Sequence, residues 1–298
     1  MDRLKTAWFG LLLALLAGTG CATAPRGSQT ATFTLWQLPN QTHSQIMSYV
    51  IRTAHGRIIV IDGGTTGDGP YLKGFLAALG GVVDTWIMSH AHDDHFGALT
   101  AILATPDAPA IGRMYASLPD MDWLRKYGYE QDIKPYEQFL AAVDKAGLKV
   151  VEAKVGDTFE IDGVRTEVFG VRNPEITKNA INNSSMVWRM WDERKSVLFL
   201  GDLGEEGGCK LLASPYANRL RADYVQMAHH GQNGVDEDVY RAIQPRYCLW
   251  PTPLWLWDND KGQGKGSGPW KTLEVRAWLD KLPIERHYVM TEGLCRID

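Results

Sequence analysis

Asp84-Thr85-Trp86-Ile87-Met88-Ser89-His90-Ala91-His92-Asp93-Asp94-His95 decides how this chain is read. Its first half is a short apolar run of the kind that forms a buried strand. Its second half crowds three imidazoles and two carboxylates into six residues. Alternate residues of a strand share a face, so a strand ending here turns His90 and His92 to one side. Asp94 and His95 then fall on the turn or on the first helical residues, within reach of a second ion beside the first. Neutral imidazoles and a carboxylate suit zinc, with manganese or iron as alternatives. Five of the chain's eight histidines lie in this segment or in His229-His230. The bland alternative, a polar surface turn, fits poorly with the apolar strand that feeds it.

Working outward, strands and helices alternate. Residues 33–38, 48–53 and 57–61 are short β-branched or aromatic runs separated by turn residues, the pattern of an antiparallel meander ending at Gly63-Gly64. Residues 71–79 and 96–103 are helical in pattern. Residues 119–146 hold one or two helices, with Tyr136, Phe139, Leu140 and Val143 spaced at three and four. Strands are expected at 149–152, 158–161, 164–169, 185–190, 196–200, 224–228 and 247–250. Helices are expected near 209–212, 236–242 and 271–281. The polar, glycine-rich stretch 258–268 is read as a mobile loop.

Three further segments extend the pattern. Ile61-Asp62-Gly63-Gly64 and Leu200-Gly201-Asp202 each follow a hydrophobic strand, and His229-His230-Gly231 follows another. With the histidine cluster they resemble the motifs of the metallo-β-lactamase superfamily, from about residue 33 to the C terminus. The resemblance implies an α/β fold, a four-layer αββα sandwich, over residues 33–298. It also implies roles: Asp62 supports the ligands from behind, Asp202 bridges two metal ions, and one of His229 and His230 completes the second ion's set. A ligand directly before glycine favours His230, leaving His229 to contact substrate or to pack.

The superfamily usually places another ligating histidine between the second and fourth motifs, but none occurs between His95 and His229. Asn182-Asn183-Ser184-Ser185 stands ahead of a strand instead. That arrangement resembles a narrower group, the extracellular domain of ComEC competence proteins and the phosphorylcholine esterase of cell-wall teichoic acid. The resemblance implies two zinc ions, one on His90, His92 and Asp202 and the other on Asp94, His95, Asp202 and His230. A metal-bound hydroxide would attack a phosphodiester or other phosphoester. Asp94 is a candidate proton acceptor, and Asn183 or Ser184 a candidate for orienting water or a phosphate oxygen; a strand-entry turn is the plain alternative for the last two. Hydrolysis of an acyl bond in a lactone, thioester or β-lactam is the competing enzyme reading, and a non-catalytic metal-binding lipoprotein the non-enzyme one.

The start of the chain points outside the cytosol. Arg3 and Lys5 precede the apolar run 9–17, and Ala17-Gly18-Thr19-Gly20-Cys21 resembles a lipobox, although Gly18 stands where leucine is usual. Residues 1–21 are therefore read as a signal peptide with Cys21 lipidated, and 22–32 as a tether; ordinary cleavage near Ala24 would give a secreted enzyme. The envelope location makes a small-molecule or cell-envelope phosphoester the expected partner, beside the membrane reached through the anchor. The formal charge is −4, and −5 once residues 1–20 are gone. That acidic balance is a poor match to a protein gripping long nucleic acid. Cys209, Cys248 and Cys295 remain, with Cys248 and Cys295 the candidate disulfide pair and three buried thiols the alternative. Trp250, Trp255, Trp257 and Trp270 surround the glycine-rich loop, either as a recognition lid or as packing.

Overall fold

In the strand Ile58–Asp62, Ile58 and Val60 face one apolar cluster while Ile59 and Ile61 face another. A continuous apolar run of this kind marks a strand covered on both sides, and it recurs across the domain. The computed structural model describes residues 33–298; the expected signal segment, tether and Cys21 lie outside the described residues.

The first half comprises β1 (Phe33–Gln37), β2 (Ser48–Thr53), β3 (Ile58–Asp62), α1 (Gly69–Ala78), β4 (Val82–Val83), β5 (Thr85–Met88), α2 (Asp93–Leu103), β6 (Ala110–Ile111), β7 (Met114–Ala116), α3 (Met121–Tyr127), α4 (Glu130–Lys145) and β8 (Val150–Glu152). The second comprises β9 (Thr158–Ile161), β10 (Val164–Gly170), α5 (Ala180–Asn183), β11 (Val187–Trp191), β12 (Ser196–Phe199), α6 (Glu205–Leu212), β13 (Tyr224–Gln226), α7 (Glu237–Ile243), β14 (Tyr247–Trp250), α8 (Leu254–Trp257), α9 (Thr272–Leu279), β15 (Arg286–Val289) and β16 (Cys295–Ile297).

One sheet runs β16-β1-β2-β3-β5-β7-β8 and the other β15-β14-β13-β12-β11-β10-β9. The expected meander β1-β2-β3 is antiparallel, whereas β3, β5, β7 and β8 are parallel, as are β12 to β15. The sheets face each other across a core of Tyr49, Ile59, Ile87, Trp188, Phe199 and Leu249. On the outer face of the first sheet, Trp86 and Met88 meet Phe96 of α2 and Tyr136 and Phe139 of α4. On the outer face of the second, Leu198, Val225 and Trp250 meet Leu211 of α6, Val239 of α7 and Val275 of α9. Three apolar layers separated by two sheets make the αββα sandwich that the sequence implied.

The disulfide expectation is corrected. Cys248 lies in β14 of the second sheet and faces its outer helices, whereas Cys295 lies in β16 at the edge of the first sheet, and Cys209, Cys248 and Cys295 are all free thiols. The tryptophans divide. Trp250 is buried and meets Trp257 edge-to-face at 5.2 Å, which is packing, while Trp255 and Trp270 pair at 4.8 Å beside the glycine-rich loop. That loop is organised around Asp260, whose carboxylate accepts from the amides of Gly262 and Gly264. Among the described residues no helix is long and apolar enough to cross a membrane.

Candidate metal centre

The centre forms where β3, β5, β12 and β13 end at one edge of the sandwich, so the two sheets each contribute to it. Strand ends at such an edge are where α/β sheets place their ligands. β5 delivers Ser89 and His90. His92 stands at the N-cap of α2, and Asp94 and His95 lie in its first turn. Unpaired amides and the helix dipole favour carboxylates there. Asp202 follows β12 across Gly201 (φ 56°), where an added Cβ would come within 2.9 Å of Ser185. His229 and His230 (φ 51° and 56°) follow β13 in the left-handed region, a strained pair of a kind found mostly at functional sites.

Three of the histidines are oriented from behind. Asp62, fully buried at the end of β3, accepts from the amide of Ser89 (2.7 Å), the Ser89 hydroxyl (2.6 Å) and His95 Nδ1 (2.7 Å). Because the Ser89 proton goes to Asp62, Ser89 Oγ accepts from His90 Nδ1 (3.0 Å). His230 Nδ1 donates to the carbonyl of Pro251 (3.0 Å). With every Nδ1 carrying its proton, the Nε2 lone pairs of His90, His95 and His230 turn inward, as metal ligation requires.

Two donor groups result, and they share Asp202. Asp94, His95, Asp202 and His230 form one, and His90, His92 and Asp202 the other, the ligand atoms in each lying within 4.8 Å of one another. His230 Nε2 stands 3.1 Å from Asp94 Oδ2 and 3.2 Å from Asp202 Oδ2, while His95 Nε2 stands 3.3 Å from Asp202 Oδ1. Yet His95 Nε2, His230 Nε2 and both Asp202 oxygens are buried without a properly angled hydrogen bond. A buried polar atom left so costs about 1–3 kcal/mol. Four of them converging on one point fit cations rather than a packed interior.

Electrostatics agrees. Burial is the largest influence on His95 and works against its charge. Asp202, Asp94 and Asp62 outweigh it and hold the imidazole well above its usual range. The same contest, with Asp202 and Asp94, pushes His230 up to about 9. Burial likewise opposes the Asp202 charge, but His230 and His95 hold that carboxyl well below the usual range. Burial and the neighbouring His95 keep His90 well below.

The remaining expected residues separate. His229 stands aside from both donor groups. Its Nδ1 donates to the carbonyl of Asn233 (3.1 Å), and its Nε2 lies 3.3 Å from Asn182 Nδ2 and 3.9 Å from Asp202 Oδ2. Asn183 and Ser184 are engaged with neighbouring segments. Asn183 spends its amide on the Lys178 carbonyl (2.9 Å), Glu206 (3.0 Å) and the Gly207 amide (2.8 Å), tying α5 to α6. Ser184 Oγ accepts from the Asn173 amide (3.3 Å). Neighbours in a one-turn helix point about 100° apart, so Asn182 reaches His229 while Asn183 faces α6.

Four contributors escaped the sequence reading. Ser89 links Asp62 to His90, and its position directly before the histidine motif was the available signal. Gln45 Nε2 donates to Asp94 Oδ2 (3.1 Å) and is held by Gln232 (2.9 Å). Asp132 of α4 lies 3.9 Å from His92 Nε2, and Ser185 Oγ accepts the Asp202 amide (2.9 Å). Ser185 stood in the Asn182–Ser185 stretch without a role of its own, and no local pattern marks Gln45 or Asp132.

Comparison with known proteins gives this geometry its family. The chain belongs to the metallo-β-lactamase superfamily, whose family model matches residues 42–242. The UPF0173 metal-dependent hydrolase of Polynucleobacter asymbioticus is 30% identical over 183 residues, covering 60% of this chain and 52% of the relative, so the chain spans about half the length of the curated relative it matches. Two solved structures share the fold. The metallo-β-lactamase fold protein YhfI from Bacillus subtilis has a TM-score of 0.51 at 10% identity, over 89% of this chain and 99% of that one. CmlA, a diiron β-hydroxylase from Streptomyces venezuelae, has a TM-score of 0.53 at 15% identity, over 89% of this chain and 54% of that one.

Proposed function

We propose that the chain is a metal-dependent hydrolase with two metal positions, acting on phosphodiesters. The observation that supports it best is Asp202, one buried carboxylate whose two unpartnered oxygens belong to both donor groups. His90, His92 and Asp202 would hold one divalent ion, zinc being the first candidate, and Asp94, His95, Asp202 and His230 the other. Bound divalent ions supply an acidified water near neutral pH and offset the negative charge that builds on a scissile phosphoryl group. The chain's part is orientation: Asp62, Ser89 and the Pro251 carbonyl fix the imidazoles, and Gln45 steadies Asp94. The similar hydrolase from Polynucleobacter supports metal-dependent hydrolysis. The phosphoester assignment rests on the missing histidine between His95 and His229 and on the narrower resemblance to phosphoesterases. A lipidated Cys21 would place this activity at the cell envelope, within reach of envelope phosphoesters.

Metal analysis of the purified protein, followed by assays on bis-p-nitrophenyl phosphate, p-nitrophenyl phosphorylcholine, a lactone and single-stranded DNA, tests the reading. Asp94→Ala is the control. The expected result is two ions per chain and cleavage of a phosphodiester that Asp94→Ala loses. Less than one ion with no cleavage removes the hydrolase reading, and cleavage confined to the lactone removes the phosphoester.

A further inference from the structure

A cleft of about 630 Å³ opens between the loop after β1, the segment after β14 and the turn after β15. Small-molecule sites span about 300–1,000 Å³. Two of its walls are continuous with the centre: the loop after β1 runs on to Gln45, which holds Asp94, and the segment after β14 begins at Pro251, which fixes His230.

Trp255 stands between these walls. Its indole N–H donates to the His43 carbonyl (2.7 Å) and its ring packs on Trp270, so a half-buried aromatic surface is held fixed in the cleft. Asn40, Thr42, His43, Thr291, Asp258 and Asp260 are the polar lining. Among the described residues no arginine or lysine lines the cleft, so a phosphate finds no bidentate cationic clamp there and meets two carboxylates instead. Asp258 is paired with Lys265 Nζ at 3.1 Å, and Asp260 already accepts from the amides of Gly262 (2.7 Å) and Gly264 (2.9 Å). The cleft thus offers a fixed aromatic surface beside hydroxyl, amide, imidazole and carboxylate groups. A pyranose, with a C–H face and a rim of hydroxyl donors, matches both surfaces at once.

We propose that this cleft is a saccharide subsite, which seats a neutral sugar unit forming the non-reacting part of the substrate. The proposal rests on the phosphodiester reading for the reaction it serves, and on the cleft alone for binding.

The full chain with its metal is titrated with N,N′-diacetylchitobiose, cellobiose and maltose, followed by tryptophan fluorescence and saturation-transfer NMR. At least one disaccharide is expected to bind saturably at about millimolar Kd, the weak range of small ligands. Trp255→Ala should weaken that binding by about tenfold or more, the loss of one aromatic contact, with Trp255→Phe intermediate. Metal content should stay unchanged in both variants. Choline chloride and inorganic phosphate should bind far more weakly. If none of the disaccharides binds, or if choline binds in a Trp255-dependent way while sugars do not, the proposal is overturned. Thr291→Val replaces Trp255→Ala should the latter fail to fold, again with weakened sugar binding expected and unweakened binding counting against the subsite. Hydrolysis of bis-p-nitrophenyl phosphate by the wild type, measured in parallel, judges the phosphodiester reading separately, since sugar binding is scored whether or not that ester is cleaved.

Discussion

Replacing Asp62 with asparagine tests how the imidazoles are oriented. Asparagine tolerates the left-handed backbone at this position (φ 53°), so the chain path survives. The amide of Ser89 keeps an oxygen to donate to. The other oxygen, which accepts from both the Ser89 hydroxyl and His95 Nδ1, becomes an NH2 group. His95 Nδ1 must then accept, its proton moves to Nε2, and the lone pair aimed at Asp202 disappears. A charge-assisted bond of about 1.5–3 kcal/mol gives way to a neutral one of about 1 kcal/mol and opposite polarity. The net of about 0.5–2 kcal/mol corresponds to roughly 2–30-fold weaker metal binding, overlapping the lower part of the 10–100-fold scale for groups that orient a ligating histidine. Competition with a chromophoric chelator, with metal stoichiometry by mass spectrometry, reads this directly. Wild-type affinity and stoichiometry in Asp62→Asn would falsify the orienting role.

Other outcomes follow from the same geometry. Without metal, His95 is held well above its usual range and His230 at about 9, so near neutral pH both carry protons that an entering ion displaces. Apparent metal affinity should therefore rise from pH 6 toward pH 9, by up to about tenfold per pH unit for each proton displaced; a flat profile in chelator competition contradicts this. Gly201→Ala puts a Cβ within 2.9 Å of Ser185 in a left-handed backbone, costing about 2–3 kcal/mol. Its melting temperature should fall by roughly 4–12 °C, and an unchanged melting curve would show that the turn relaxes freely. Asn183→Ala should lower stability by about 1–3 kcal/mol in a urea titration, because it strands the buried Gly207 amide on α6, while metal content stays at wild type. Loss of metal with unchanged stability would instead support a role at the site. A chelator should lower the melting temperature of the wild type, since ions at a hundred times their Kd add about 2.7 kcal/mol, and calorimetry with and without chelator checks it.

Much of this architecture was readable from the chain, and what was not has physical reasons. The strands 158–161 and 247–250 match their expected bounds, and the two helices within 119–146 follow from the Tyr136, Phe139 and Val143 face that α4 buries. β4, β6, β7 and β15 were not anticipated. β15 (Arg-His-Tyr-Val) is an edge strand with charged and half-exposed residues, so it carries no apolar run. β7 is three residues long, too short for a period to show. At the site, histidine and aspartate spacing marked the donor residues because ligand chemistry demands those side chains. Gln45 and the Pro251 carbonyl act through chain segments brought together only by folding, and a backbone oxygen leaves no mark on composition. That Asn182 rather than Asn183 reaches His229 depends on the rotation of a single helical turn, which two identical neighbours cannot signal.

That the shared carboxylate comes from one sheet, while most imidazoles come from the other, bears on the order in which the molecule is assembled. His90, His92, Asp94 and His95 are completed early in the chain, and Asp202 and His230 only after the second sheet has formed. Neither half alone presents more than a fragment of either donor group. A nascent or half-folded chain therefore has little to capture an ion with, and tight capture begins only when the sheets have docked. An ion that has entered then joins segments far apart in sequence, and must be released before the sheets can part. Metal retention is in this way a report on the completeness of the fold, and exchange of the ion should be slowest in the molecules whose two halves are most firmly closed.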